Sequence, residues 1–461
     1  VYEYFAAFLE AQGRETEALA YTERARSRSL LDLLYTVQRS EDRYSETPVS
    51  RLIELNRQLG ALAEDLEEEA VVQGSSAYAS ERVAQLRREY ARADSIYLQV
   101  EGQLSSGQQI YTFNPLSPDA MRRTLREGEA MIIFDLREGS PEHEAVTSVA
   151  YVVLPDSIHT YPLGVEPEPL AETIRFFRDH IGTTEPGERW EPIARRLYRD
   201  LMKPLLETLP DEVEHLHIIP EGTLHYIPFA ALQDEDGRFL IERFSLSVAP
   251  SASILSLTRQ QSPQQWQSML LLGDPDERLP GSRDEVLGIA RSEVVQHKEV
   301  LLGKAATKAA VTQLAPTSDI IHFATHGRFV KQDPARSHLE LHGGEVLSVE
   351  EIGQLEFHAY LVTLSACETA LSGGRTSDVP DGDEWVGFNQ AFLAAGTSTV
   401  MTSLWPIDDR ISSTFMIDFY ETLRVTGKAR ALAEVQRRFI QNKSTRHPFY
   451  WAPFTIVGAP L

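Results

Sequence analysis

The sequence predicts an α/β fold with a largely parallel sheet, preceded by an all-α segment. Before Asn114, apolar residues recur at helical spacing over long stretches. After Pro115, short apolar runs of strand length alternate with helical patterns, which is typical of parallel strands joined by helices. With 461 residues and 42% hydrophobic content, the chain can bury large cores in several structural units.

The composition limits the classes of partner. Lys and Arg number 44 against 68 Asp and Glu, a net charge of 44 − 68 = −24 that repels nucleic acid and anionic membranes. We therefore expect no direct nucleic-acid partner and no binding to membranes.

No apolar stretch approaches the length of a membrane span and no secretory signal is visible, so we expect a cytoplasmic protein. A single cysteine excludes an intrachain disulfide framework, and Val1 begins in mid-helix, which suggests a fragment of a longer chain.

Residues 1–30 resemble one tetratricopeptide repeat, the end of a longer array. Small and aromatic residues follow helical spacing on both sides of Gly13, which is expected to form the turn. A generic helical hairpin is the alternative. The residues that carry this pattern are Ala6, Leu9, Gly13, Ala18, Tyr21 and Ala25.

Residues 31–110 predict a helical arm of two antiparallel helices. Leucines recur every three or four residues from Leu52 to Leu66, and a similar apolar pattern runs from Val83 to Leu104. Gly74, between them, is a turn signal. We expect this arm to connect an upstream sensor to the α/β region.

The α/β region contains two successive sets of apolar runs, in residues 115–260 and 265–461. The predicted strands are Met131 to Phe134, Val149 to Leu154, Leu216 to Ile219, Ser245 to Val248, Met269 to Leu272, Asp319 to Ala324, Tyr360 to Ser365 and Ser398 to Leu404. The predicted helices are Ile174 to His180, Ile193 to Leu209, Val386 to Ala395 and Ile411 to Thr422. Two such sets suggest a duplicated plan.

Two of the predicted strands end in reactive side chains. His326 follows Ile320 to Ala324, and Cys367 follows Leu361 to Ser365. If these strands are parallel neighbours, both side chains emerge at the same edge of the sheet. The order, with His 41 residues before Cys, is close to that of caspases and differs from that of papain.

This pair predicts nucleophilic catalysis by a thiol. An imidazole can deprotonate Cys367 for attack on a carbonyl and then protonate the amine that leaves, which assigns the proton transfers to His326. The oxyanion that forms needs backbone N–H donors, and the amides of Gly327 and Cys367 are the natural ones.

Other interpretations of the same residues stay open. A lone cysteine at a strand end is often a buried structural residue. His322 and His326 are four apart, as zinc ligands on a helix are, but here the segment is a strand and no Glu lies between them. We expect no metal and no cofactor, and we interpret His322 as a core residue that supports the site.

Five further segments, besides those around His326 and Cys367, match a known family: Ile219 to Phe229, Leu246 to Ser253, Ala391 to Gly396, Ser403 to Asp409 and His447 to Phe454. Together they resemble the CHAT family of caspase-like, separase-related peptidases, which are found beside tetratricopeptide repeats. The resemblance covers roughly residues 115–461 and implies a pseudo-caspase half (115–260) that supports a catalytic half (265–461). It places the family's catalytic residues at His326 and Cys367.

The resemblance also implies a substrate-binding segment from Ser403 to Asp409, with Ser403 and Trp405 at its start. By analogy with separases, Asp408 or Asp409 would receive a basic side chain of the substrate. The alternative is that these Asp residues only cap the next helix. Residues 372–384 form an acidic run that either orders on activation or is an ordinary surface loop.

The sequence thus predicts a cysteine endopeptidase that cleaves a partner protein. We expect an activating protein or upstream sensor domain to act through the tetratricopeptide-like helices. The alternatives are a catalytically silent scaffold that binds partner proteins and a different thiol hydrolase, such as an amidase.

Overall fold

The computed structural model describes most of the α/β region and the first helices. The described residues are 6–7, 9–10, 12–38, 85, 88–89, 92, 96, 115–137, 147–184, 189–263, 265–328, 330, 336–365, 386–407 and 409–461. The predicted leucine helix at 52–66, most of the pattern at 83–104 and the acidic run at 372–384 lie outside them. Contacts between Cα atoms divide the chain into two units, 1–119 with 139–146 and 120–138 with 147–461.

In the first unit, a helical turn precedes helix α1 (Glu15–Gln38). Gly13 has φ +70°, in the left-handed region that glycine enters without steric cost, and it forms the predicted turn. Helix α1 continues beyond residue 30, where the tetratricopeptide-like segment was expected to end. The residues buried around the turn are Ala6, Leu9 and Ala18, with Tyr21 packed against them.

The described residues of the second unit contain fourteen strands. They are β1 (Glu129–Asp135), β2 (Val149–Val153), β3 (Ile158–Pro162), β4 (His215–Ile219), β5 (Ser245–Val248), β6 (Ser268–Gly273), β7 (His297–Leu302), β8 (Ile320–Ala324), β9 (Gly327–Arg328), β10 (His338–Glu340), β11 (Val346–Ser348), β12 (Leu361–Leu364), β13 (Thr399–Ser403) and β14 (Phe454–Gly458). Eleven of them form one sheet in the order β3-β2-β1-β4-β5-β14-β13-β12-β8-β6-β7, and three form a small sheet in the order β11-β10-β9.

The large sheet is mostly parallel, which confirms the predicted α/β class. Seven of its strand pairs are parallel, and only β1–β2, β2–β3 and β13–β14 are antiparallel. The central strands are buried along their whole length, which explains their continuous apolar sequences. Strand β14 lies between β13 and β5, so residues 115–260 and 265–461 contribute to a single sheet.

Twelve further α-helices precede, connect or follow these strands among the described residues. They are α2 (Pro118–Thr124), α3 (Pro167–Ile181), α4 (Trp190–Leu197), α5 (Lys203–Leu206), α6 (Leu240–Arg243), α7 (Ala252–Gln261), α8 (Pro280–Arg291), α9 (Lys308–Leu314), α10 (Val349–Gln354), α11 (Val386–Ala394), α12 (Asp409–Leu423) and α13 (Lys428–Gln441).

The ends of these helices follow from the local sequence. Proline at the first turn starts α3 and α8, where its missing N–H costs nothing. The Ser251 hydroxyl accepts from the Ile254 amide and caps α7, and Ser348 and Glu351 form a capping box on α10. The single helix predicted over 193–209 is instead α4, a π-helical turn at Tyr198–Met202 and α5. Because Pro204 in α5 has no N–H to donate, a regular α-helical ladder cannot continue through it.

Gly458, at the end of β14, occupies a conformation that other residues avoid. Its φ is +106°, and a Cβ atom there would lie 2.5 Å from the Ser398 carbonyl oxygen. We expect Gly458→Ala to lower the free energy of unfolding by about 2 kcal/mol or more, because strain and overlap add. Denaturant unfolding of this variant beside Gly164→Ala, whose Cβ would meet nothing within 4 Å, measures the effect. Equal stability of the two variants would contradict this packing.

Lys428, the first residue of α13, is fully buried. Its Nζ donates to the Tyr360 carbonyl at 3.2 Å and to the Ser398 hydroxyl at 3.3 Å, and it lies 3.8 Å from the centroid of the Tyr360 ring. No ion pair among the described residues includes it. Burial lowers the pKa of Lys428 well below its ordinary value of 10.5.

This burial predicts a pH dependence of stability. The unfolded chain binds a proton at Lys428 that the native chain releases once the pH exceeds the lowered pKa, so native stability rises with pH up to about 10.5. We compare the free energies of unfolding of the native protein and of Lys428→Met. Their difference should change in favour of the native protein, between the lowered pKa and about pH 10.5, by about 1.4 kcal/mol for each unit by which the pKa is lowered. Denaturant unfolding of both proteins between pH 6 and 10 measures this. A stability difference that stays constant over that range would show that the ammonium group is not desolvated.

Candidate active site

His326 lies between the end of β8 and the start of β9, at the edge of the large sheet. Its side chain is half-buried, and its carbonyl accepts a hydrogen bond from the Glu340 amide at 2.8 Å. The Thr325 hydroxyl donates to the Glu340 carbonyl at 2.7 Å. Gly327, the predicted oxyanion donor, is the buried first residue of β9 and pairs with Leu339 of β10. The small sheet therefore holds the backbone on both sides of the imidazole.

Strands β8 and β12 are parallel neighbours in the sheet, as the prediction of a shared edge requires. Their register runs from Ile320 opposite Leu361 to Phe323 opposite Leu364, an offset of 364 − 323 = 41 residues. The Ser365 amide continues the ladder by donating to the Phe323 carbonyl at 2.9 Å. The same offset separates His326 from Cys367. Cys367 itself lies outside the described residues.

A buried polar network lies below this edge, between the sheet and helices α8 and α12. His322 of β8 is fully buried, as predicted for a core residue, with its Nε2 2.9 Å from Glu285 Oε1. Its Nδ1 lies 3.1 Å from the Tyr420 hydroxyl, which donates to the Thr363 hydroxyl at 2.8 Å. Burial raises the pKa of Tyr420, although the hydrogen bond to Thr363 opposes this, so the hydroxyl keeps its proton to donate.

The network reaches the last described residue of the segment that leads to Cys367. Ser412 of α12 donates to Glu285 Oε2 at 3.1 Å, and the Ser365 hydroxyl lies 3.3 Å from the Ser412 hydroxyl. Glu285 and Ser412 are not among the site residues predicted from the sequence. Asp284 and Glu285 look like an exposed acidic pair, and only the burial of Val286 and Ile289 on the same turns of α8 indicates that position 285 faces inward.

The predicted substrate-binding residues fall into two environments. Ser403 ends β13 and Trp405 follows it, with 6% and 5% of their surfaces exposed. The Trp405 indole donates to the Phe449 carbonyl at 3.1 Å, and the Arg178 guanidinium lies 5.3 Å from the centroid of its ring. Asp408 lies outside the described residues, so its role in a specificity pocket stays a prediction.

Asp409 is the exposed first residue of α12, which begins two residues before the predicted start at Ile411. It packs against Gly281 of α8 so closely that a Cβ atom on Gly281 would lie 2.1 Å from the Asp409 Cβ. Ser282, the residue after Gly281, donates to the Ala324 carbonyl at 2.8 Å. Ala324 lies two residues before His326. The structure thus places Asp409 at the same end of the sheet as His326. A role for Asp409 in substrate binding stays a prediction.

Arg178 of α3 connects the two sequence halves next to this segment. It is buried, and it donates to the Tyr226 carbonyl at 3.0 Å and to the Leu404 carbonyl at 2.6 Å. Burial lowers its pKa from 12.5 to about 10, which still leaves the guanidinium charged at neutral pH. Arg178 therefore fixes the backbone just before Trp405 to the other half of the unit.

Other kinds of site are not visible among the described residues. No group of three or more His, Cys, Asp or Glu side chains there could hold a metal ion. No described helix is long and apolar enough to span a bilayer. An apolar cavity lies between β4, β5, β14 and α13, and none of the predicted site residues lines it.

Comparisons with known proteins agree with the resemblance seen in the sequence. The family model of the CHAT domain matches residues 191–459. Tetratricopeptide repeat protein 28 of Homo sapiens is 24% identical over 546 aligned positions, which cover 98% of this chain and 22% of the human protein. The Mus musculus protein of the same name is 25% identical and covers 61% of this chain and 14% of its own length. The chain thus spans less than a quarter of these relatives.

Two solved structures are similar to this chain at low sequence identity. One is the Saccharomyces cerevisiae separase–securin complex, with a TM-score of 0.48 and 12% identity over 96% of this chain and 40% of that chain. The other is the Arg-specific cysteine proteinase gingipain R (RgpB) of Porphyromonas gingivalis, with a TM-score of 0.41 and 10% identity over 64% of this chain and 75% of that chain. The family model covers more than half of the sequence, and the chain belongs to the CHAT domain family.

Proposed function

We propose that the chain is a cysteine endopeptidase that cleaves a partner protein through His326 and Cys367. The observation that carries this proposal is the register of β8 and β12, whose 41-residue offset equals the separation of the two residues. The ladder is regular up to Ser365, which supports a position for the Cys367 thiol at the edge of the sheet where His326 lies.

The chemistry requires the two groups to share a proton. The Cys367 thiolate attacks the peptide carbonyl, and the proton taken up by His326 passes to the amine that leaves. Water then hydrolyses the thioester, with the imidazole as the base. The backbone amides of Gly327 and Cys367 are the proposed donors to the oxyanion. The half-buried position of His326 suits this role, because a substrate must reach its ring.

We further propose that the substrate is a protein and that the helical N-terminus receives an activating protein. Support comes from the turn at Gly13 and from the two relatives, which are named as tetratricopeptide repeat proteins. Helical repeats of this kind present extended surfaces to protein partners. An extended substrate segment can pair its backbone with a strand edge, and one pocket then selects a side chain.

Cleavage of a peptide library by the full 461-residue chain tests the proposal. Mass spectrometry of the products should show cleavages that are absent with Cys367→Ala, while thermal melting shows that the variant keeps its fold. Identical product sets from the two proteins would contradict the peptidase and favour a catalytically silent scaffold. Cleavage without a preference for Lys or Arg before the scissile bond would contradict only the proposed role of Asp408 and Asp409.

A further inference from the structure

Helix α8 contacts β8 directly and connects through α12 to the residue that follows β12. Near its start, Ser282 donates to the Ala324 carbonyl at the end of β8. One turn later, Glu285 contacts His322 in the same strand at 2.9 Å and accepts from Ser412, which lies 3.3 Å from the Ser365 hydroxyl. Glu285 is therefore bonded to one of the segments that lead to His326 and Cys367 and is linked through one serine to the other.

The packing of α8 on α12 is close enough for this connection only because two glycines face α12. A Cβ on Gly281 would lie 2.1 Å from the Asp409 Cβ, and a Cβ on Gly288 would lie 2.4 Å from the Ile417 Cδ1. Glu285 is four residues after the first glycine and three before the second, so all three lie on one face of the helix. The glycines let the helices approach, and the carboxyl group between them reaches Ser412.

The hydrogen bonds on the serine side of Glu285 have a defined direction. Ser412 has one hydroxyl proton, which it donates to Glu285, so the Ser365 hydroxyl donates to Ser412. The hydrogen bonds therefore run in one direction, with Ser365 donating to Ser412 and Ser412 donating to Glu285. Removal of any member would leave a buried polar atom without its partner.

The hydrogen bonds on the histidine side of Glu285 involve both ring nitrogens of His322. Because Tyr420 donates its proton to Thr363, its oxygen accepts from the Nδ1–H of His322. The other ring nitrogen, Nε2, lies 2.9 Å from Glu285 Oε1. Both ring nitrogens of this fully buried side chain therefore have partners, as buried polar groups require.

We propose that Glu285 is a positioning residue for the thiol and imidazole of Cys367 and His326. It touches neither group, and it acts by fixing Ser365, two positions before the thiol, and His322, four positions before the imidazole. This inference rests on the proposed function. Misplacement of reacting groups by about 1 Å can reduce a rate about 100-fold, so a network that fixes both segments affects the chemical step.

Four variants of the full chain test the proposal. Ser412→Ala removes the connection to Ser365 and leaves the Glu285–His322 contact. Glu285→Met removes both connections at similar side-chain size. Glu285→Gln can donate to His322 Nε2 and accept from Ser412, so it serves as the conservative rescue. Glu293→Met is the matched control, since the side chain of Glu293 is 87% exposed.

Two readouts separate positioning from stability. The first is the kcat and KM of peptide cleavage, and the second is the rate at which iodoacetamide alkylates Cys367, the single cysteine of the chain. We expect Ser412→Ala and Glu285→Met to lower kcat at least about tenfold with little change in KM, and to change the alkylation rate by a similar factor. Glu285→Gln and Glu293→Met should stay within about threefold of the native protein on both readouts.

These measurements distinguish a failure of the positioning role of Glu285 from a failure of the proposed peptidase activity. If the native chain cleaves no peptide, alkylation still reports whether Ser412→Ala alters the environment of the thiol. If Glu285→Met does not fold, the kcat values and alkylation rates of Ser412→Ala and Glu285→Gln test the positioning role. Native values of kcat and alkylation rate in Ser412→Ala would overturn the inference, whatever its melting temperature. A loss in Glu285→Gln as large as in Glu285→Met would overturn the assigned hydrogen bonds.

Discussion

Replacing His326 by alanine is expected to reduce peptide cleavage by at least about 10⁴-fold, because the thiol then has no base and the leaving amine has no acid. The fold should persist, since the contacts that hold this segment are backbone bonds, such as that from the Glu340 amide to the His326 carbonyl. Initial rates of peptide cleavage, normalised to folded protein, give the size of the effect.

His159→Ala is the matched control for this variant. His159 lies in the edge strand β3 and is exposed, far along the sheet from β8 in strand order. Its replacement should leave the cleavage rate near the native value. Comparable losses in the two variants would mean that His326 has no special role.

Phe415→Ala should cause the largest loss of stability, about 3–5 kcal/mol. The Phe415 ring is fully buried, stacked on Phe454 at 4.2 Å between centroids, and packed edge-on against Phe439 at 5.0 Å. It thereby joins α12 and α13 to β14, the strand that connects the two parts of the sheet. Denaturant unfolding, followed by far-UV circular dichroism, measures the loss.

The matched substitution is Phe176→Ala, at a side chain that is 54% exposed in α3. Because little apolar surface is buried there, we expect a change below about 0.5 kcal/mol. If Phe415→Ala were no more destabilising than Phe176→Ala, the packing of α12 and α13 on β14 would be wrong.

The sequence predicted the buried strands well because their signal is local. The run from Met269 to Leu272, for example, is apolar and is followed by Gly273, and the strand extends it by one residue at each end. Edge strand β7 was missed, since its first three residues are polar and its last three apolar, without alternation. Strand β14 was missed although Phe454, Ile456 and Val457 favour a strand, and its place between two distant strands has no local signal.

In the candidate site, too, the features with a local sequence signal were predicted and those without one were not. His326 was placed at the sheet edge from its own strand, and the neighbouring position of β12 followed from the rule for parallel strands. Glu285 and Ser412 come from two helices more than 100 residues apart in sequence, and their contact depends on the close approach at Gly281 and Gly288. A single sequence holds no signal for such a pair.

The measurement that tests the thiol–imidazole pair most directly is the pH dependence of Cys367 alkylation. Because the chain has one cysteine, every modified thiol is Cys367. In the native protein the alkylation rate should rise at a pH clearly below about 8.5, the ordinary pKa of a thiol, and in His326→Ala the profile should return to that value. Profiles that coincide across the whole pH range in the two proteins would contradict a proton shared between His326 and Cys367.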